Sequence, residues 1–211
     1  MILNYLLDII FPAPTPIRKV THQDLSTHLR QKASPLKTPA NWIFSGFHYQ
    51  DKDVKKLVLH LKKYRDKRVA KALVDRLHEQ LLELESEHEI WHGCNGTIIV
   101  PIPLHQKSLQ KRGFNQSQLL ANELAKLGIN RKVQPLLKCV RATPKQALLR
   151  KTERIHNMKD SFKKTRKIIP EKHLVIIIDD VVTTGATLIE ARLELARHIP
   201  AHNLKAFTVA H

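Results

Sequence analysis

The chain has 211 residues, 42% of them hydrophobic but only 5% aromatic, so it can fold around a core built mainly from aliphatic side chains. It carries 36 Lys and Arg against 19 Asp and Glu, a formal net charge of +17, which favours polyanionic partners such as nucleic acid or phosphorylated metabolites. Its two cysteines, Cys94 and Cys139, are too few and too far apart for a disulfide scaffold or a cysteine-based zinc site, which fits a reducing compartment.

Met1 to Phe11 is apolar, but it includes Asp8, lacks a basic start and is too short to span a bilayer. It reads as a short helix packed on the body of the protein or on a membrane partner. No transmembrane segment is expected, and the expected location is the cytoplasm. Prolines at 12, 14, 16, 35 and 39 interrupt regular structure, so residues 1–40 read as an irregular appendage to a domain spanning 41–211. Residues 42–49 suggest one or two short strands. Val54, Leu57, Val58 and Leu61 recur at helical spacing within Lys52–Lys63, with lysines opposite. Val69, Leu73, Leu77 and Leu81 mark a second amphipathic helix, ending in the acidic stretch Glu83–Glu89.

Thr97 to Pro101 is a short apolar run suited to a strand covered on both faces. Asn115 can cap the next helix, with Leu119, Leu120, Leu124 and Leu127 on its buried side and Gly128 as its stop. Residues 133–139 suggest another strand. Residues 141–167 are rich in Lys and Arg with little apolar pattern and read as a mobile basic loop. Leu174 to Ile178 is the strongest strand, Leu188 to His198 is helical, and Ala206 to Ala210 closes the chain as a strand. This alternation predicts an α/β fold with a mainly parallel sheet flanked by helices.

The strongest strand ends in Asp179-Asp180 and is followed by Val181-Val182-Thr183-Thr184-Gly185-Ala186-Thr187 and a helix. Ligands of open α/β sheets bind beyond the carboxyl ends of strands. A helix N-terminus there offers free N–H groups and a positive dipole end to a phosphate. Gly185 allows close backbone approach, and Thr183, Thr184 and Thr187 add hydroxyl donors. Hydrogen bonds to a charged group contribute about 1.5–3 kcal/mol each. Carboxylates repel phosphate but accept from sugar hydroxyls, so Asp179 and Asp180 with the threonine loop fit a ribose 5-phosphate. The Gly-x4-Gly-Lys-Ser/Thr pattern of a P-loop does not occur.

This hydrophobic–Asp-Asp–Thr-Thr-Gly-x-Thr signature resembles the type I phosphoribosyltransferases. The resemblance implies binding of phosphoribosyl pyrophosphate (PRPP) with Mg²⁺. It also implies that Asp179 and Asp180 contact the ribose hydroxyls, and that Thr183, Thr184, Gly185, Ala186 and Thr187 hold the 5-phosphate. A direct protein-to-metal ligand set is not implied, because Mg²⁺ would come through PRPP.

Val100-Pro101-Ile102-Pro103-Leu104-His105, then Arg112-Gly113-Phe114-Asn115-Gln116, is similar to the ComF branch, which contains the competence-associated ComFC proteins. Lys63-Tyr64, Arg141-x-Thr143, Gln146, Arg154, Asn157 and Phe162 add to that likeness, which runs from about residue 42 to the end. It implies a pyrophosphate loop at Pro103, Leu104 and His105, with Lys107 or Arg112 neutralising charge. Arg112 could instead form an ion pair that orders the loop. The flexible hood expected over PRPP corresponds to residues 141–157, with Arg141, Lys145 and Arg154 as its candidate contacts. Many ComF proteins have Phe-Pro-x-x-Cys and further cysteine pairs near the N-terminus. Here Phe11-Pro12-Ala13-Pro14 has proline at the cysteine position and no cysteine precedes Cys94, so zinc is not expected; His22 and His28 are too few to replace it. Two functions follow: phosphoribosyl transfer to an acceptor nitrogen, in connection with DNA uptake, or PRPP sensing or single- or double-stranded DNA binding without turnover. A membrane DNA-uptake component is a further expected partner.

Overall fold

A computed structural model of the chain describes residues 22–30, 40–141 and 158–211. In chain order these form α1 (His22–Arg30), β1 (Ile43–Phe47), α2 (Lys52–Lys63), α3 (Lys67–His92), β2 (Gly96–Pro101), α4 (Gln106–Arg112) and α5 (Gln116–Ala125). Then follow β3 (Arg131–Val133), β4 (Leu137–Cys139), β5 (Phe162–Lys164), β6 (His173–Val181), α6 (Ala186–Ala196), a 3₁₀ turn (Ala201–Asn203) and β7 (Leu204–Ala210).

Five strands make one sheet in the order β1-β7-β6-β2-β3, and every neighbouring pair is parallel. This is the parallel α/β architecture expected from the strand–helix alternation. The apolar run of β6 is continuous because both its faces are covered. Leu174, Ile176 and Ile178 enter the core with α2, α3 and α5, whereas Val175 and Ile177 enter the core with α6. The chain leaves β2 toward β3 on one side and leaves β6 toward β7 on the other. The strand order therefore reverses between β2 and β6, which opens a crevice at their carboxyl ends.

Register sharpens that crevice. Pro101 pairs with Ile178, and β6 continues beyond it through Asp179, Asp180 and Val181 alongside β7. The carboxylate pair thus stands past the end of β2.

Several boundaries differ from the sequence reading. Residues 133–139 do not form one strand: Pro135 separates β3, in the main sheet, from β4, which pairs antiparallel with β5. Within 141–167, β5 and the buried Met158, Ser161 and Phe162 are ordered parts of the structure. The acidic stretch Glu83–Glu89 lies inside α3, which runs to His92 and stops at Gly93 in the left-handed conformation. In the N-terminal span, α1 buries Leu25 and Leu29 in the main core, and its Ser26 Oγ donates to Asp75. Phe11, Pro12, Ala13 and Pro14 lie outside the described residues. Among those described, no helix is long and apolar enough to cross a membrane.

Candidate functional site

The end of β6 supplies the two acids, and strand alternation sends them to opposite faces. Asp179 lines a small hollow with Val181 through Leu188. Asp180 continues the face of Ile178 toward α2; it is only 5% exposed. There Lys62 Nζ lies 3.1 Å from Asp180 Oδ2. That oxygen accepts no hydrogen bond from the described residues, so the pair is held by charge. Asp179 Oδ1 accepts from Ser117 Oγ and from the Asp180 backbone N–H, each at 2.9 Å. Although its edge reaches the hollow, protein atoms ring the Asp179 carboxyl. This desolvation, followed by the charge of Asp180, pushes its pKa up to about 7; the hydrogen bonds and Lys62 pull the other way.

The loop after β6 begins with the Val182 N–H bonded to the Ala210 carbonyl at 2.9 Å. It closes at Gly185, whose φ of 76° is left-handed and suits glycine. Gly185 precedes α6 and provides no side-chain cap. The helix N-terminus is instead surrounded by Thr184 and Thr187, half-exposed, and Thr183, exposed. Thr184 Oγ1 accepts a long 3.4 Å bond from the Ala186 N–H. Hydroxyls and a positive dipole end converge on one hollow, an arrangement suited to a phosphate.

The loop after β2 borders the same crevice. The Ile102 N–H bonds to the Ile178 carbonyl at 3.0 Å, and Pro103, Leu104 and His105 are half-exposed. His105 caps α4, its Nδ1 accepting from the Lys107 N–H at 3.3 Å. Asn115 caps α5, as its sequence position predicted: Oδ1 accepts from the Ser117 N–H at 3.0 Å. Its Nδ2 also donates to the Ile102 carbonyl at 2.9 Å. One side chain therefore fixes the start of the β2 loop and directs Ser117 onto Asp179. Lys107 and Arg112 are exposed. Arg112 Nη1 donates to the neutral Gln116 Oε1, so a hydrogen bond stands where an ion pair was the alternative.

Arg141 is exposed just past β4. Lys145 and Arg154, with Thr143, Gln146 and Asn157, lie outside the described residues. Sequence reasoning missed Lys62 and Ser117. Lys62 is one of five lysines in α2 and carries no distinguishing local signal. Ser117 stands two residues after a helix cap, a placement that hints at a hydroxyl turned toward the preceding loop. A larger hollow of about 430 Å³ opens at the amino ends of β2 and β3. Its wall is a structural ion pair, Arg131 Nη2 to Glu85 Oε2 at 2.6 Å, and it lies away from the acids and the threonine loop.

No family model matches the sequence. Among curated proteins, the DNA utilization protein YhgH of Salmonella typhi is 41% identical over 102 residues, covering 47% of this chain and 43% of that protein. Competence protein ComFC of Bacillus subtilis is 35% identical over 112 residues, covering 53% of this chain and 43% of that protein. Competence protein F of Haemophilus influenzae is 30% identical over 114 residues, covering 53% and 49%. The matches thus span less than half the length of these relatives. Through about half of its own length, the chain is related to the ComF family.

Proposed function

We propose that the protein binds PRPP with Mg²⁺ and transfers its phosphoribosyl group to an acceptor nitrogen. The observation that carries this reading is the convergence of three elements on one crevice: the acids ending β6, the threonine-lined N-terminus of α6, and the Pro103–His105 loop. The 5-phosphate would sit against Thr183 to Thr187 and the ribose hydroxyls against the carboxylates. Pyrophosphate would lie beside Pro103, Leu104 and His105, where Lys107 and Arg112 add positive charge. Carboxylate oxygens suit Mg²⁺ and its bound water, and Asp179 and Asp180 fit an ion carried mainly by the ligand's own oxygens. The ion would neutralise pyrophosphate, while the chain's residues orient the sugar and stabilise charge during departure.

Titration of PRPP with and without Mg²⁺ tests the reading, using wild type and the Asp179→Ala/Asp180→Ala double variant. Saturable binding lost in the variant supports it, and no binding by wild type overturns it. Pyrophosphate release with candidate bases then tests transfer.

A second reading draws on the +17 charge and on relatives named for competence and DNA utilization. Here the protein serves DNA uptake as a PRPP sensor or DNA-binding component without turnover. DNA affinity that falls steeply with salt, together with PRPP binding but no pyrophosphate release, would favour it.

A further inference from the structure

We propose that Lys62 belongs to the PRPP site, resting on Asp180 as the structure shows and turning to the pyrophosphate end when ribose hydroxyls take over that carboxylate. The proposal rests on the PRPP reading above and assigns a specificity residue within it.

The apolar face of α2, Val54, Leu57, Val58 and Leu61, seats the helix in the core shared with Ile176 and Ile178. That seating brings the end of α2 to the carboxyl edge of the sheet. The lysines there have different surroundings. Lys55 Nζ lies over the Tyr49 ring, 5.8 Å from its centroid, and Lys63 Nζ over the Tyr64 ring at 4.9 Å. Lys62 instead reaches Asp180, with its side chain 31% exposed against 7% for the acid. It therefore has one end on a buried site carboxylate and an open path to solvent.

The ion pair and a bound ribose make competing demands on Asp180. A carboxylate is an acceptor only, and its buried Oδ2 already faces Nζ. Removing the cation alone would strand a buried charge, which is strongly unfavourable. Hydroxyl donors arriving with a cation-neutralised ligand remove that obstacle, because they satisfy the carboxylate as Lys62 leaves. The destination is close. In PRPP the pyrophosphate is attached to the ring carbon next to one of those hydroxyls, and a lysine ammonium rides on a flexible stem with three donors. Lys62 would thereby distinguish PRPP from ribose 5-phosphate, which presents the same sugar and 5-phosphate but no pyrophosphate.

Calorimetric titration with PRPP and with ribose 5-phosphate, both in Mg²⁺, tests this on wild type, Lys62→Met, Lys62→Gln and Lys62→Arg. Lys62→Gln keeps a hydrogen-bond donor for Asp180 but removes the charge, so it guards against a Lys62→Met variant that misfolds. Wild type should prefer PRPP. The two neutral variants should lose that preference by roughly tenfold or more, the loss of one charge-assisted contact, and Lys62→Arg should retain most of it. Equal weakening of both ligands would overturn the proposal, because Lys62 would then only hold the Asp180 side chain in place. Unchanged affinities, or a wild type that binds both ligands equally, would overturn it too. A wild type that binds neither ligand would overturn the PRPP reading itself, and the assignment of Lys62 with it.

Discussion

Asp179→Asn should stabilise the folded protein at pH 8 while weakening PRPP binding. Desolvation and the neighbouring Asp180 charge raise the Asp179 carboxyl from 3.8 to about 7. Between those values the folded state holds a proton that the unfolded chain has released. Stability therefore falls as pH rises from about 4 to about 7 and is level above. At 1.36 kcal/mol per pKa unit, a shift of about three units corresponds to roughly 4 kcal/mol, a ceiling that side-chain relaxation and entering water reduce. Asparagine has nearly the same shape, and its carbonyl oxygen can still accept from Ser117 and from the Asp180 N–H. It carries no charge to desolvate, so the penalty disappears. Urea unfolding at pH 4.5, 6 and 8 measures the effect. Taking the variant minus wild type at each pH cancels the titration of the rest of this basic chain. The difference should be small at pH 4.5 and grow to a few kcal/mol by pH 8. A difference that does not change with pH, or a variant less stable than wild type at pH 8, would refute the reasoning. A gain in stability coupled to loss of binding is the signature of a site residue held under electrostatic strain.

Ser117→Ala removes the Ser117 Oγ bond to Asp179, which helps to lower that carboxyl. The upper end of the pH-dependent stability change should move to higher pH, with a loss of about 1 kcal/mol at pH 8 by urea unfolding. Gly185→Ala forces an L-residue to a φ of 76°. Stability should drop by about 1–2 kcal/mol, and ribose 5-phosphate affinity should fall in calorimetry because the loop proposed to hold the 5-phosphate is displaced. Arg131→Met should destabilise by about 3 kcal/mol by urea unfolding, since Arg131 is 1% exposed and its loss leaves Glu85 unpaired. PRPP affinity of the folded Arg131→Met variant should remain that of wild type, because the pair lies at the opposite end of the sheet.

The elements legible in the sequence are those with local causes. The apolar face Val54–Leu61 matches α2 from Lys52 to Lys63 because a period of 3.6 is set within the segment itself. Asn115 could be read as a cap because a cap bonds only two or three residues ahead. The run Leu174–Ile178 identified the central strand, and the acid–threonine segment after it lines the small hollow at the start of α6. Pro135 shows the limit of that approach: residues 133–139 have strand-like character throughout, yet they serve two sheets whose partners are distant in sequence.

The site was decided partly by sequence and partly by packing. A strand period of two already implies that Asp179 and Asp180 face opposite sides, but not what each side contains. That depended on α2 packing over the Asp180 side and on the start of α5 standing beside the Asp179 carboxyl, which brought Lys62 to Asp180 and Ser117 to Asp179 across separations of more than sixty residues in chain number. Local periodicity and helix-capping chemistry, both contained in the segment 174–188, specify a strand-end carboxylate pair and a threonine-lined helix N-terminus. Which cation and which hydroxyl hold those carboxylates was settled by tertiary packing, because Lys62 looks like the other lysines of α2 and the position of Ser117 behind its cap does not say which acid it meets.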